Sequence, residues 1–348
     1  VVRILLPFLA LVPASVALEL LHASPLLVFT AAALAIIPLS MLLGKGTEEI
    51  SMHAGPAFGG FLNASLGNLA ELIITILALR EGLVGVVKAS ITGSVLGNLL
   101  LILGASLLAG GIGRIRQSFN RTAAGVYASM LVLAIVGLGV PSVFALTHPQ
   151  VPGGAPLTLS VVVAVLMLGI YVSQLIFSFR THRSVVAAEI ADDHPPQWSR
   201  RLALGVLVGS ALLIGLEAEI LVSALEPTIE TLGWSEIFVG LVVIPIVGNA
   251  AEHATAIWVA TRDKMDLAMG IAIGSSTQVA LLVAPVLVLV ALAMGTPMDL
   301  VFTPFEMVSL GMAVAIVSLI SLDGETNWLE GAQLLTVYAI LAVAFYFY

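Results

Sequence analysis

The chain has 348 residues, 59% of them hydrophobic and only 10% charged, with a mean hydropathy of +1.12. Those values exclude the ordinary soluble classes. Eleven spanning helices of about 20 residues would use roughly 220 positions, which leaves room for loops but not for a separate extramembrane domain. With no cysteine there is no disulfide, thiolate zinc site, iron–sulfur cluster or cysteine nucleophile, so any cation site is built from oxygen and nitrogen. A net charge of −8 leaves no broad basic face for nucleic acid.

Apolar runs between charged or Pro/Gly breaks predict spans at about 4–21, 25–43, 57–79, 86–109, 122–144, 157–179, 202–224, 236–260, 267–294, 302–321 and 328–348. The first run lacks a small-residue cleavage site and is followed at once by another apolar stretch, so it is read as a helix rather than a secretory signal. With the N-terminus in the cytoplasm, Arg3, Lys45, Arg114, Arg116, Arg121, Arg180, Arg183, Arg200, Arg201, Arg262 and Lys264 fall inside, and only Arg80 and Lys88 outside. This is the asymmetry that the positive-inside rule requires, and it puts the C-terminus outside. The longest polar loop, Arg180 to Arg201, carries Glu189, Asp192, Asp193 and His194 and divides the chain into halves. Short loops, the lack of cysteine and the lack of a targeting extension point to a prokaryotic plasma membrane.

The halves resemble each other. Gly67-Asn68-Leu69-Ala70-Glu71 in the third span returns as Gly248-Asn249-Ala250-Ala251-Glu252 in the eighth, an offset of 181 positions. The same offset carries Gly93-Ser94 onto Gly274-Ser275 and Leu100-Leu101 onto Leu281-Leu282. Because the third and eighth spans are an odd number of helices apart, the two copies cross the membrane in opposite senses. Inverted repeats with polar, glycine-bearing segments at matching positions are a signature of secondary transporters. Close helix packing alone would account for Gly93 and Gly274. It leaves the paired glutamates unexplained.

An ionised carboxylate at the bilayer centre costs about 3 kcal/mol on insertion scales, so Glu71 and Glu252 each need a partner, a cavity or a proton. Asn68 and Glu71, like Asn249 and Glu252, are three residues apart and share one helical face. The following spans add Ser94 with Asn98 and Ser275 with Gln278, again on single faces. Every one of these groups is a hard oxygen donor, which suits a hard divalent cation: Ca2+ takes six to eight such ligands in flexible geometry, while Mg2+ demands a stricter octahedron and retains water. Two negative charges neutralise one divalent ion, and when that ion leaves, two carboxylates in low dielectric pick up protons instead. Competition of this kind is antiport chemistry.

Blander roles compete for each residue. A mid-span glutamate can simply bond a neighbouring helix, the asparagines can be interhelical glue, and membrane serines often bond their own backbone. His253, next to Glu252, is a proton acceptor or an orienting group, and its counterpart is Leu72. Glu217, Glu219 and Glu306 read as helix-end or packing partners more readily than as ligands. Glu48, Glu49, Glu226 and Glu230 read as solvated helix ends, or as cation-capturing groups at the vestibules.

The segments GNLAELI, VVKASITGSVLGNLLLILG, VGNAAEHATA, MDLAMGIAIGSSTQVALLVAP and NWLEGA resemble the Ca2+/H+ antiporters of the cation/proton exchanger family, and the likeness runs over nearly the whole chain. That resemblance implies an all-α membrane protein of eleven helices, with one extra N-terminal helix (1–22), a first five-helix repeat (23–180), a cytoplasmic linker (181–201) and a second, inverted five-helix repeat (202–348). It implies that the third, fourth, eighth and ninth helices form the ion-binding core and that the long second and seventh act as a moving gate. It further implies that Glu71 and Glu252 bind the cation and exchange protons, that Asn68 and Asn249 assist, and that Ser94, Asn98, Ser275 and Gln278 line the path. His253 is implicated in proton coupling in the same way. Sodium-coupled relatives carry hydroxyl residues and a proline before the acid, so the asparagine here favours proton coupling.

The expectation is therefore a secondary antiporter exchanging cytoplasmic Ca2+ for H+, with no cofactor and with Ca2+ and H+ as transported substrates. A homo-oligomer is compatible with it. The same-class alternatives are Na+-driven exchange or selectivity for Mn2+, Mg2+ or Zn2+. A passive cation channel has no need of two inverted halves. An enzyme is not expected: Glu252 and His253 have no second histidine in the H-E-x-x-H register, and there is no G-x-S-x-G elbow.

Overall fold

The computed structural model describes residues 6–54, 59, 62, 65–150, 154–182 and 196–348. Glu189, Asp192, Asp193 and His194 of the expected linker, and much of the start of the third expected span, lie outside the described residues.

The described chain is almost entirely helical, as lipid demands of a spanning chain whose backbone groups have no water to bond. In chain order the α-helices are α1 Leu11–Leu20, α2 Pro25–Ala54, α3 Leu69–Arg80, α4 Val84–Leu96, α5 Leu103–Gly111, α6 Arg121–Thr147, α7 Ala155–Ile176, α8 Arg200–Ser223, α9 Leu225–Leu232, α10 Glu236–Phe238, α11 Ile244–Gly248, α12 Ala250–Thr261, α13 Met265–Gln278, α14 Ala284–Met294, α15 Pro304–Ile320 and α16 Trp328–Tyr346. Four π-helical segments are interposed: Gly97–Ile102, Phe177–Thr181, Val239–Val243 and Val279–Val283.

Among the described residues seven helical stretches are long and apolar enough to cross a membrane: Pro25–Ala54, Val84–Gly111, Arg121–Thr147, Ala155–Thr181, Arg200–Ser223, Met265–Met294 and Trp328–Tyr346. An eighth counts if Leu225–Leu232 and Glu236–Gly248, bent by 117° where they join, make one span. Pro7–Leu20 and Pro304–Ile320 are apolar but shorter.

Helix starts repeat along the chain. α3, α4 and α5 begin at Leu69, Val84 and Leu103, and α12, α13 and α14 begin 181 positions later, at Ala250, Met265 and Ala284. The segments Gly97–Ile102 and Val279–Val283 interrupt the two copies at the matching place.

The chain forms two compact units, each drawn from both halves of the sequence. The first comprises residues 1–90, 192–252 and 348. Its centre is the long contact between α2 and α8, with α1 against both. Leu39, Leu43, Ala70, Leu207 and Ile214 form its buried cluster. Gly46 lets these backbones approach, since a Cβ there would lie 3.1 Å from the Leu207 nitrogen. At the far end of α2, Glu49 is fully buried and accepts the backbone N–H groups of Gln197 (2.8 Å) and Trp198 (3.0 Å). Lys45, one turn earlier, pairs with Glu49 at 3.0 Å.

The second unit comprises residues 91–191 and 253–347. Here α5 lies against α16, and glycine again sets the separation. A Cβ on Gly331 would meet the Leu108 nitrogen at 2.4 Å and the Gly104 carbonyl oxygen at 2.6 Å. The ends are pinned by side-chain caps. Asn327 and Glu330 form a capping box at α16, and Thr303 and Glu306 do the same at α15. A two-residue strand β1 (Gln117–Ser118) pairs antiparallel with β2 (Glu325–Thr326), Gln117 opposite Thr326.

Overpacking a contact this tight costs about 1–3 kcal/mol. Gly331→Ala is therefore expected to lower the thermal denaturation midpoint of the detergent-solubilised protein. An unchanged midpoint would mean that α5 and α16 are not in backbone contact.

Candidate functional site

Two matching helix breaks organise the first unit. A turn at Gly67-Asn68 precedes α3, and Asn249 separates α11 from α12. Asn68 has φ −93°, ψ 19° and Asn249 φ −105°, ψ 13°, so both asparagines sit in the sparsely populated bridge region rather than in the helix. Asparagine tolerates such positions because its short polar side chain can bond locally. A break inside a membrane leaves carbonyl groups on one side and N–H groups on the other without their usual partners. Transporters use such discontinuities to meet ions.

Each break is followed by an acid in the first turn of the next helix, Glu71 in α3 and Glu252 in α12. There the N-terminal N–H groups and the helix dipole favour negative charge. Glu71, Asn68 and Asn249 are buried, at 0%, 3% and 2% exposure, while Glu252 is half-buried. The breaks are joined directly. The Asn249 Nδ2 donates to Glu71 Oε2 at 3.4 Å, so an amide of one copy holds the carboxylate of the other. Gly248 lies beside the Glu71 backbone, where a Cβ would sit in ordinary contact at 3.5 Å from the Glu71 Cα. Thr75, one turn on, donates to the Glu71 backbone carbonyl at 2.8 Å.

In the second unit a chain of polar groups runs through Asn98. Its Nδ2 donates to Ser275 Oγ at 3.1 Å, and its Oδ1 lies 3.2 Å from His253 Nε2. An amide oxygen only accepts, so His253 carries its proton on Nε2 and donates to Asn98. Ser94, Asn98, Ser275 and His253 are all buried, and Gln278 is half-buried at the end of α13. Asn98 belongs to the π segment Gly97–Ile102, and the π segment Val279–Val283 begins just after Gln278. Such bulges widen the turn, re-aim side chains and are frequent at functional sites.

The remaining acids divide. Glu306 accepts from the Thr303 backbone N–H at 2.9 Å and from Thr92 Oγ1 at 3.0 Å, a helix-end role. Glu219, Glu226 and Glu230 are exposed. Glu48 is exposed beside Lys45, whereas Glu49 is the buried anchor described above. Glu49 escaped the sequence reading as a partner of the segment before α8, although its four-residue spacing from Lys45 already marked an ion pair. Among the described residues no three His, Cys, Asp or Glu side chains gather as at a resident metal centre. The oxygen-rich groups come instead as carboxylate with amide, and as amide with hydroxyl.

Helix breaks of this kind, duplicated along a chain of apolar helices, define an integral membrane protein with a polar, pseudo-repeated interior. The family model described as sodium/calcium exchanger protein matches residues 24–180 and again 202–347, and the chain belongs to that family. It is 44% identical to a Ca2+/H+ antiporter of Synechocystis sp., over 99% of this chain and 98% of that one. It is 43% identical to the Ca2+/H+ antiporter ChaA of Bacillus subtilis, over 96% of each. The solved structure of native YfkE superposes with a TM-score of 0.87 at 40% identity, covering 100% of both chains.

Replacing His253 by Leu removes the donor that satisfies the buried Asn98 oxygen, and a buried acceptor left without a partner costs about 1–3 kcal/mol. His253→Leu is expected to lower the thermal midpoint by a corresponding amount, whereas Thr255→Ala, on the same helix but facing outward, sets the background. Equal midpoints in the two variants would remove the assigned bond.

Proposed function

We propose that this protein exchanges Ca2+ for H+ across a membrane by alternating access, with Glu71 and Glu252 taking up either the metal or protons. The observation that carries the reading is the duplicated Gly-Asn break, with an acid in the turn after each and the amide of Asn249 on the carboxylate of Glu71. Two carboxylates match the charge of one divalent cation, and amide and carbonyl oxygens complete the kind of shell that Ca2+ takes. With Ca2+ gone, the same acids carry protons, so the protein never crosses its cycle with two bare charges in low dielectric. The names of the full-length relatives from Synechocystis and Bacillus subtilis support the same pair of substrates.

The proposal extends to architecture. Eleven spans are arranged as an N-terminal helix (1–22), a five-helix repeat (23–180), a linker (181–201) and an inverted five-helix repeat (202–348). The two separate matches of one family model, at 24–180 and 202–347, support the duplication, as do the matching helix starts. The distribution of Lys and Arg supports a cytoplasmic N-terminus and an external C-terminus. Asn68 and Asn249 assist the acids as oxygen donors. Ser94, Asn98, Ser275 and Gln278 line the cation's route, and His253 serves in proton transfer. The helices α2 and α8 slide as the gate.

Glu71→Gln and Glu252→Gln keep the size of the side chain and remove the charge, and each is expected to reduce Ca2+ transport in reconstituted vesicles to background while leaving a folded protein. Retained exchange in either variant would refute the site. Collapsing the pH gradient with an ionophore is expected to stop Ca2+ uptake. Uptake that survives this and needs Na+ would replace proton coupling by sodium coupling, and currents far above carrier turnover would replace the carrier by a channel.

A further inference from the structure

The acid least explained by ion exchange is Glu217 in α8. It is fully buried, with 0% exposure, and so is Ser15 of α1 beside it. The Ser15 Oγ lies 2.7 Å from Glu217 Oε1, 2.7 Å from Oε2 and 2.8 Å from the Val12 carbonyl oxygen. Three oxygens thus crowd one hydroxyl, which owns a single proton.

An ionised Glu217 would have to share that one proton between both its oxygens and the Val12 carbonyl. No Lys, Arg or His lies within ion-pair distance of it among the described residues. The charge that does reach it has the wrong sign: Glu19, one turn beyond Ser15 on the same face of α1, adds a second carboxylate. The other helices packed on α8 bring no compensating charge. On α2, Lys45, Glu48, Glu49 and His53 lie at the opposite end, beside Gln197 to Arg200 and, through Gly46, Leu207. The α3 helix brings Glu71 and Arg80, the latter exposed, and α9 brings the exposed Glu226 and Glu230. An uncompensated carboxylate here would meet the full cost of charge in a membrane interior.

A proton on Glu217 relieves the crowding, because it supplies a second donor and frees the hydroxyl proton of Ser15. The carboxyl O–H donates to Ser15 Oγ, and the Ser15 O–H donates to the Val12 carbonyl. We propose that Glu217 is a proton-binding site of its own, a neutral carboxylic acid that docks α1 on α8 through Ser15, separate from the acids assigned to exchange. The ligand of this site is H+ and not a cation, because the pair offers no further oxygen shell and is closed to solvent.

Infrared absorption of the purified protein at neutral pH, without Ca2+ and without any gradient, tests this independently of the exchange mechanism. Wild type is expected to show a carbonyl stretch of a protonated carboxylic acid that is missing from Glu217→Gln. Ser15→Ala is expected to keep that band but move it to higher frequency, because the acid loses the hydroxyl that accepts its proton. Added Ca2+ should leave the Glu217 component in place. Identical wild-type and Glu217→Gln spectra, an unmoved band in Ser15→Ala, or erasure of the component by Ca2+ would each overturn the proposal. Should Glu217→Gln fail to fold, the Ser15→Ala shift and the response to Ca2+ decide it.

Discussion

Lipid offers no hydrogen bonds, and that constraint governs every polar group in this protein. Where a spanning helix is continuous, its backbone answers its own demand. At Gly67-Asn68 and at Asn249 the helices break, and the freed carbonyl and N–H groups have to be met from within the protein or by a ligand. At the breaks the Asn68 carbonyl accepts from the Leu72 N–H and the Asn249 N–H donates to the Pro245 carbonyl, while the Asn249 side-chain amide bonds the Glu71 carboxylate.

Glycine recurs at the tightest backbone contacts, and its role there is spatial. Gly46 admits α8 beside α2, and Gly331 admits α5 beside α16. Without a hydrophobic drive between helices already in lipid, this close approach and its dispersion contacts supply the association. The caps act at the ends in the same spirit. The Asn327–Glu330 box of α16 accounts in physical terms for the NWLEGA segment, which stands out in the sequence but holds no group of the candidate site.

Much of the architecture and of the site was legible residue by residue. Long apolar runs announced the helices from Pro25–Ala54 to Trp328–Tyr346 because hydropathy is a local property. The duplicated Gly-Asn-x-Ala-Glu segments were visible as text, and their acids fall in matching first turns. The four-residue spacing of Ser94 and Asn98 was read as one helical face, and nothing in it announced the π segment that begins between them. Within that segment Gly97, Asn98, Leu99, Leu100 and Ile102 are all buried. Glu49 and Glu217 show the same limit. Glu49 looked like a solvated helix end and is instead fully buried against Gln197 and Trp198, while Glu217, read as a packing partner, does pack, but its partner Ser15 lies 202 positions away.

Composition and periodicity by themselves determined that the chain is built of apolar membrane helices and that a Gly-Asn-x-Ala-Glu segment occurs twice along it, because these follow from which side chains are present and how they recur. Only the tertiary structure decided that Asn249 bonds the acid of the other copy, that Asn98 stands between Ser275 and His253, and that Ser15 seals Glu217. Partners 155 to 202 positions apart in sequence are chosen by how helices pack, and helix packing depends on shape and close approach that no stretch of sequence carries alone.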